Sequence, residues 1–306
     1  MKKCAVLLVT VFIFASLICI ESAFAGAWTV PKDHVWSEYY MKWDYAKDSY
    51  NSNGKLVSSG ENAKNFRSWE FVQEPKIEFG ITDYLNFLYS MEFKQAHYKE
   101  YDRPDDWGPF SHKNGGLTNV KIGGKWRFLE KPLVMSLQGR FFIYPGYGNY
   151  VSEVPAAGVD DGYPYQPGIG YGDDAFEVRW LMGQSFQFPV TSRWKLPVYW
   201  GAETGYRWRN KAVCNDVPYF FECGFWPSAY FLVKTEVDGY FYDDGTGSIK
   251  ETYGIWRIGG VWQVFGDSVL RQGGKMFNIE FQYGLVTWGV NTNAAQEFVL
   301  KVQTQF

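Results

Sequence analysis

The sequence predicts an all-β protein: a transmembrane antiparallel β-barrel of about twelve strands, with long extracellular loops and short periplasmic turns. Three observations carry this. The chain ends on Phe298-Val299-Leu300-Lys301-Val302-Gln303-Thr304-Gln305-Phe306, where Phe298, Leu300, Val302, Thr304 and Phe306 form one row and Lys301, Gln303 and Gln305 the other. A period of two gives a strand with one apolar and one polar face. Aromatic residues make up 20% of the chain, with 14 Trp, 22 Tyr and 25 Phe. A barrel sets such residues in girdles at the two membrane interfaces. Finally, nearly every alternating segment pairs an aromatic row with a charged row. A periplasmic β-sandwich would bury aliphatic rows instead, and it cannot expose so many Trp and Phe without aggregating.

Lys2 and Lys3 open the chain, an apolar run follows from Ala5 to Ile20, and Ala23-Phe24-Ala25 supplies the small residues of a cleavage site. Residues 1–25 therefore read as a secretory signal peptide, and the mature barrel, 26–306, starts at Gly26. Beyond it no apolar run reaches the roughly 18 residues that a membrane helix needs. The net charge of −3 leaves no basic footprint for nucleic acid.

The segments follow in order. In 35–46, Val35, Tyr39, Met41, Trp43 and Tyr45 face one way, and Glu38, Lys42 and Asp44 the other. The second, 65–79, carries Trp69, Phe71, Ile77 and Phe79 outward, with Pro75 expected to break it. The third, 85–98, opposes Leu85, Phe87, Tyr89, Met91 and Phe93 to Asn86, Ser90, Glu92 and Lys94. The fourth, 117–129, alternates Val120, Ile122, Trp126 and Phe128 with Asn119, Lys121, Lys125 and Arg127. The fifth, 133–144, holds Gln138 and Arg140 on its polar row. The sixth, 175–188, sets Glu177 and Arg179 against Phe176, Val178, Trp180 and Met182. The seventh, 198–209, sets Glu203, Arg207 and Arg209 against Val198, Trp200, Tyr206 and Trp208. The remainder run 217–226, 230–242 with Lys234, Glu236 and Asp238 inward, 252–265, 277–288, and the terminal strand. Short turns at Thr82-Asp83, Glu130-Lys131-Pro132 and 226–228 alternate with long connectors at 47–64, 99–115 and 145–172, as in barrels with periplasmic turns and surface loops. Only about nine residues precede the first strand, too few for a folded hatch, so the barrel is expected to lack an N-terminal plug domain.

Several motifs resemble a known group. Gly26-Ala27-Trp28-Thr29-Val30-Pro31-Lys32 is similar to a G-A-W-x-x-P-K-G start. The stretch from Gly116 to Phe128 resembles a G-x-x-D-x-x-x-G-x-K-Y-R-F strand, with Asn119 in place of Asp. Gly172-Asp173-Asp174-Ala175-Phe176-Glu177-Val178-Arg179 looks like a G-D-G-x-x-D-x-E-x-R element. Asp33 stands where the group has Gly. The group is the outer-membrane transporter family named for the meta-cleavage pathway of phenol degradation. The resemblance implies passage of small, often aromatic or hydrophobic compounds, and no catalytic residue. The terminal Phe306 resembles the signal read by the barrel assembly machinery.

The polar rows are the candidate site. Glu38, Lys42, Asp44, Glu92, Lys94, Lys121, Lys125, Arg127, Arg140, Glu177, Arg179, Glu203, Arg207 and Arg209 are expected in the lumen, because a Lys or Arg facing lipid costs about 2–4 kcal/mol at the midplane. They form either an ion-paired plug or a lining that selects solutes. Lys121, Lys125, Arg127, Arg207 and Arg209 are candidates for a basic stripe. The connector 145–174 is rich in Gly, Pro and Tyr, and carries Glu153, Asp160, Asp161, Asp173 and Asp174. It reads as a solvated surface loop or as a constriction folded into the mouth.

Cys214 and Cys223 remain after the leader is removed, and are expected to form a disulfide pinning an extracellular connector. A Cys223 deep in its strand would exceed the roughly 7 Å Cα limit. His97 falls on an outward row near the outer end of the third segment, an aromatic-belt position rather than that of a lipid-facing phospholipase histidine, since no matching Ser and Asn motif accompanies it. No nucleophile elbow, HExxH or phosphate loop is present. The reading is a bacterial outer-membrane barrel, no enzyme, without cofactor or metal, surrounded by outer-membrane lipid and lipopolysaccharide. It passes a small solute by diffusion. The alternative is a sealed barrel serving as adhesion, envelope-structural or scaffold protein, with its loops binding a protein partner.

Overall fold

A computed structural model of the chain describes residues 26–58, 67–100, 110–145, 172–191, 195–210, 213–244, 246–247, 250–266 and 275–306. Residues 1–25, expected to be a signal peptide, and the acidic Glu153, Asp160 and Asp161 lie outside them. The described residues form thirteen strands: β1 (Val35–Tyr50), β2 (Leu56–Ser58), β3 (Arg67–Gly80), β4 (Leu85–Glu100), β5 (Phe110–Leu129), β6 (Val134–Ile143), β7 (Ala175–Pro189), β8 (Lys195–Arg209), β9 (Asp216–Ser228), β10 (Phe231–Tyr242), β11 (Thr252–Gly266), β12 (Met276–Val290) and β13 (Thr292–Gln305). Apart from β2, each strand pairs antiparallel with its neighbours, and β13 pairs with β1 from Trp36–Gln305 to Tyr50–Thr292. The sheet closes on itself as a twelve-stranded barrel. Closure removes the edges that would expose unpaired backbone groups in a membrane. The three-residue β2 is an added flap on the end of β1, with Tyr50 opposite Leu56.

The terminal strand finishes the closure. Val35 N–H donates to Phe306 O at 2.9 Å, and Phe306 N–H donates to Val35 O at 3.0 Å. The start of β1 and the end of β13 thus lie at the same end of the barrel. At that end, the β3–β4 turn is locked by Thr82, whose Oγ1 accepts from Leu85 N–H at 3.0 Å. At the opposite end β12 turns into β13 through one residue, Asn291, at φ 51°, a left-handed value that Asn tolerates.

Two expectations change. Pro75 does not break its strand: β3 runs unbroken and Pro75 sits opposite Tyr39, while pairing to β4 lapses only at Glu74 and Pro75 and resumes at Lys76–Ser90. A proline without N–H is tolerated where one neighbour loses a ladder bond and the other keeps its register. The split between short turns and long loops is also incomplete, because the Asn291 turn at the loop end is the tightest connection, whereas nine residues, 267–275, join β11 to β12 at the termini end. The residues before β1 enter the barrel, as described below.

Alternation sorts side chains cleanly. Phe281 and Phe298 point out and are 59% and 55% exposed; such exposure suits a hydrocarbon surround, not water. Outward rings meet across strands: Trp43 with Phe71 at 5.0 Å, Phe176 with Trp208 at 5.8 Å, and Phe241 with Trp288 at 5.0 Å between centroids. Each such pair adds about 0.5–1.5 kcal/mol beyond its buried area.

Candidate functional site

The inward rows enclose a cavity of about 1270 Å³, lined from every barrel strand and reaching both ends of the sheet. Its walls are charged, and the charges are paired. On β9 to β13, Lys234 meets Glu236 at 2.7 Å, Glu280 at 2.9 Å and Glu222 at 3.3 Å, and Lys301 meets Glu280 at 2.8 Å. Arg257 contacts Glu297 at 2.9 Å and Asp238 at 3.3 Å. Lys42 on β1 bridges Asp44 at 2.7 Å and Glu297 at 3.3 Å. On β3 to β5, Lys121 holds Glu74 and Glu92, both at 2.8 Å, Lys76 holds Glu38 at 3.0 Å, Lys94 holds Glu70 at 2.7 Å, and Lys125 holds Glu78 at 2.6 Å. Pairing of this kind offsets the cost of taking ions out of bulk water only while both partners remain.

The two sides of the lumen differ in sign. On β5 to β8, Lys121, Lys125, Arg140, Arg179, Arg207 and Arg209 outnumber Glu177 and Glu203. At its heart Glu177, 1% exposed, accepts from Arg140 Nη2 at 2.6 Å, Arg179 Nε at 2.7 Å and Arg207 Nη2 at 2.7 Å. Phe142 lies under Arg207 and Arg140, their guanidinium carbons 5.0 and 5.6 Å from its centroid. Across the lumen carboxylates prevail: Glu222, Glu236, Asp238 and Glu280 surround Lys234, Arg257 and Lys301.

The termini end is occupied by the segment 26–31, which crosses the lumen as a strap. Thr29 Oγ1 donates to Asp83 O at 2.6 Å and Lys32 N–H to Asp83 Oδ1 at 3.0 Å, which fixes the strap to the β3–β4 turn. On the far side Ser136 Oγ donates to Ala27 O, and Lys125 Nζ to Gly26 O at 3.3 Å. Between these anchors Trp28 joins an apolar cluster with Val134, Leu181, Tyr199, Trp226, Leu232 and Val261, contributed by β6 to β11. Gly183 makes room for it: a Cβ there would collide with the indole. Nine residues are too few for a hatch domain, yet enough to cross the lumen in extended form at about 3.3 Å per residue. No hatch domain was expected from so short a segment; what the sequence did not announce is that these residues enter the lumen as a strap.

Of the sequence-derived lumen residues, Glu38, Lys42, Asp44, Glu92, Lys94, Lys121, Lys125, Arg140, Arg179, Glu203, Arg207 and Arg209 line the cavity. Glu177 lies beneath its three arginines. Arg127 does not line the cavity wall: it is 7% exposed, donates from Nη2 to Asp83 O at 3.0 Å and packs over Tyr84, so it supports the turn that anchors the strap. Glu70, Glu74, Lys76 and Glu78 were missed because Pro75 seemed to end the pattern, although their even-numbered phase persists across it. Glu222, Arg257 and Glu280 were also missed; Glu280 shares the alternation of Asn278 and Gln282.

Asp173 and Asp174 are structural. Asp173 Oδ2 accepts from Val213 N–H at 3.1 Å, and Asp174 Oδ1 from Tyr144 N–H at 2.8 Å. Cys214 and Cys223 are free thiols. This corrects the expected disulfide. Cys214 precedes β9 while Cys223 lies well inside it, and an extended chain at about 3.3 Å per residue carries the two far past the roughly 7 Å Cα limit. Among the described residues no cluster of His, Cys, Asp and Glu is placed to hold a metal ion. At the loop end, burial pushes the Glu251 carboxyl up to about 7, against a Thr292 hydrogen bond and Lys94, which lower it.

No family model matches the chain, and no curated protein sequence matches it. Among solved structures the fold is similar to an outer membrane channel from Pseudomonas putida F1, with TM-score 0.60 and 11% identity over 94% of this chain and 100% of that one. More distant are the transport unit of the autotransporter AIDA-I from Escherichia coli, with TM-score 0.45 and 11% identity over 97% of each chain, and the translocator domain of the autotransporter NalP from Neisseria meningitidis, with TM-score 0.42 and 8% identity over 89% and 88%. The chain has the fold of the outer-membrane β-barrels.

Proposed function

We propose that this barrel sits in the bacterial outer membrane, with both termini in the periplasm, and conducts a small solute by diffusion through its charged lumen. The observation that carries the reading is the cavity of about 1270 Å³ that the inward rows leave unfilled. A scaffold barrel has no need of such a space, and small barrels fill theirs with side chains. The likeness to an outer membrane channel supports the same reading.

The solute we infer is one with an apolar or aromatic part. The lumen is polar over most of its length, but its periplasmic end is built from Trp28, Tyr199, Trp226, Leu232 and Val261. A solute leaving toward the periplasm must pass the strap against that apolar surface. Membership in the family named for phenol meta-cleavage belongs to this proposal, as does recognition of the terminal strand and Phe306 by the assembly machinery.

A second reading, a sealed scaffold barrel, is favoured by the strap itself and by the ion pairs along the walls. Swelling of proteoliposomes in an isotonic small solute such as glycine separates the two. A channel speeds swelling above that of protein-free liposomes. A sealed barrel leaves the rate unchanged.

A further inference from the structure

Among the described residues, the charged side chains on the outward rows of the strands lie on one arc of the barrel. On β1, β3, β4 and β5 the outward row nearest the loop end holds Tyr45, Trp69, His97 and Lys113, since Tyr45 pairs with Trp69, Trp69 with His97, and His97 with Lys113. One step further out lie Lys47, Arg67 and Lys99, with Arg67 opposite Lys99. Lys47, Arg67 and Lys113 are exposed. Asp44, Glu70 and Glu92 on these strands point the other way, into the lumen.

Two further observations fix the character of this patch. The cations stand on an aromatic shelf: Lys99 Nζ lies 5.8 Å from the Trp69 ring, Lys47 Nζ 5.7 Å from Tyr45, and His97 stacks on Trp69 at 5.3 Å. Among the described residues, the outward strand rows elsewhere at the same end are aromatic, as at Phe141, Phe176, Trp208, Tyr219, Phe241 and Trp288, and the exposed Lys250, on the β10–β11 connector, is paired with Asp244. General snorkelling of lysines toward the headgroups would scatter cations around the rim. Confinement to adjacent strands marks a local anionic partner.

We propose that this arc binds the phosphate groups of an outer-leaflet lipid, the phosphorylated glucosamine headgroup of lipopolysaccharide. The strand spacing of about 4.8 Å spreads the cations over roughly 14 Å, the width of a multiply charged headgroup rather than a single ion. Arg67 offers a two-point fork to phosphate, Lys47, Lys99 and Lys113 offer point charges, and the shelf of Tyr45 and Trp69 below packs against acyl chains. The proposal rests on the membrane orientation stated above but not on transport.

The test uses mature protein refolded in neutral-detergent micelles and titrated with diphosphoryl lipid A, with binding read by native mass spectrometry. Wild type is expected to retain the lipid. The fourfold variant K47Q/R67Q/K99Q/K113Q is expected to bind at least about tenfold more weakly, as removal of several cations near an anionic surface dictates. Lipid A stripped of phosphate should bind wild type and variant alike. Should the fourfold variant not refold, Arg67→Gln and Lys99→Gln carry the test singly, each with a loss of a few fold. Equal retention by wild type and folded variants overturns the proposal. So does full displacement by millimolar inorganic phosphate, which would assign the arc to a free anion. Either failure leaves conduction untouched, so it is distinct from failure of the channel reading.

Discussion

The indole of Trp28 lies directly over the α-carbon of Gly183, so that a Cβ added to the glycine would stand 2.8 Å from Cη2 and closer still to Cζ3. The strap seats because β7 offers a residue without a side chain at that point. Gly183→Val should therefore unseat it. Overpacking of this kind costs about 1–3 kcal/mol if both groups stay, and the strap has an easier path outward. Trypsin cleavage after Lys32 in the folded barrel should accelerate in the variant. Cleavage at the wild-type rate would mean that Trp28 keeps its seat by another route.

Glu177 answers three guanidinium groups at once. Glu177→Ala leaves Arg140, Arg179 and Arg207 facing one another around an empty site. Breaking a buried pair by removing one partner costs about 3–5 kcal/mol, so the urea midpoint of the folded barrel should fall markedly. A midpoint within error of wild type would show that water already solvates the arginines.

Glu251 sits at the extracellular mouth with its carboxyl raised by burial to about 7. A raised carboxyl favours the protonated folded form. Its contribution to stability is fully present below the unfolded value of 4.5 and is lost as pH rises through about 7. The same titration adds a negative charge to the mouth. Cation preference of the conductance should rise between about pH 5.5 and about pH 8.5, and Glu251→Gln should flatten that rise. A variant with the wild-type pH profile would assign the titration elsewhere.

Cys214 and Cys223 are separate thiols. Alkylation of the denatured, unreduced protein should modify both, and reductant should not change its electrophoretic mobility. A mobility shift on reduction would contradict the placement of Cys223 inside β9.

The strand pattern was legible because membrane and lumen impose opposite demands on successive residues, as at Phe298, Leu300 and Val302 against Lys301 and Gln303. The polar row of β3 was less so. Pro75 is a strong local breaker, and its tolerance depends on neighbours that only the closed sheet supplies. The strap carries no periodic signal; Trp28 is buried by residues from six distant strands rather than by any local repeat. The disulfide was misjudged because nine residues of sequence separation say nothing about whether the chain between them turns or runs straight. Partner choice in the ion-pair network depends on register, as in Lys121 reaching Glu74 two strands away, and alternation alone does not give register.

The central claim is that the lumen is a conduction path narrowed by the strap at its periplasmic end. Single-channel recording of refolded mature protein, wild type beside Trp28→Ala, tests it most directly. The account predicts small steps for wild type and severalfold larger steps for the variant, with both barrels folded and heat-modifiable. Folded barrels that stay silent in both forms, or conduct equally, would contradict it.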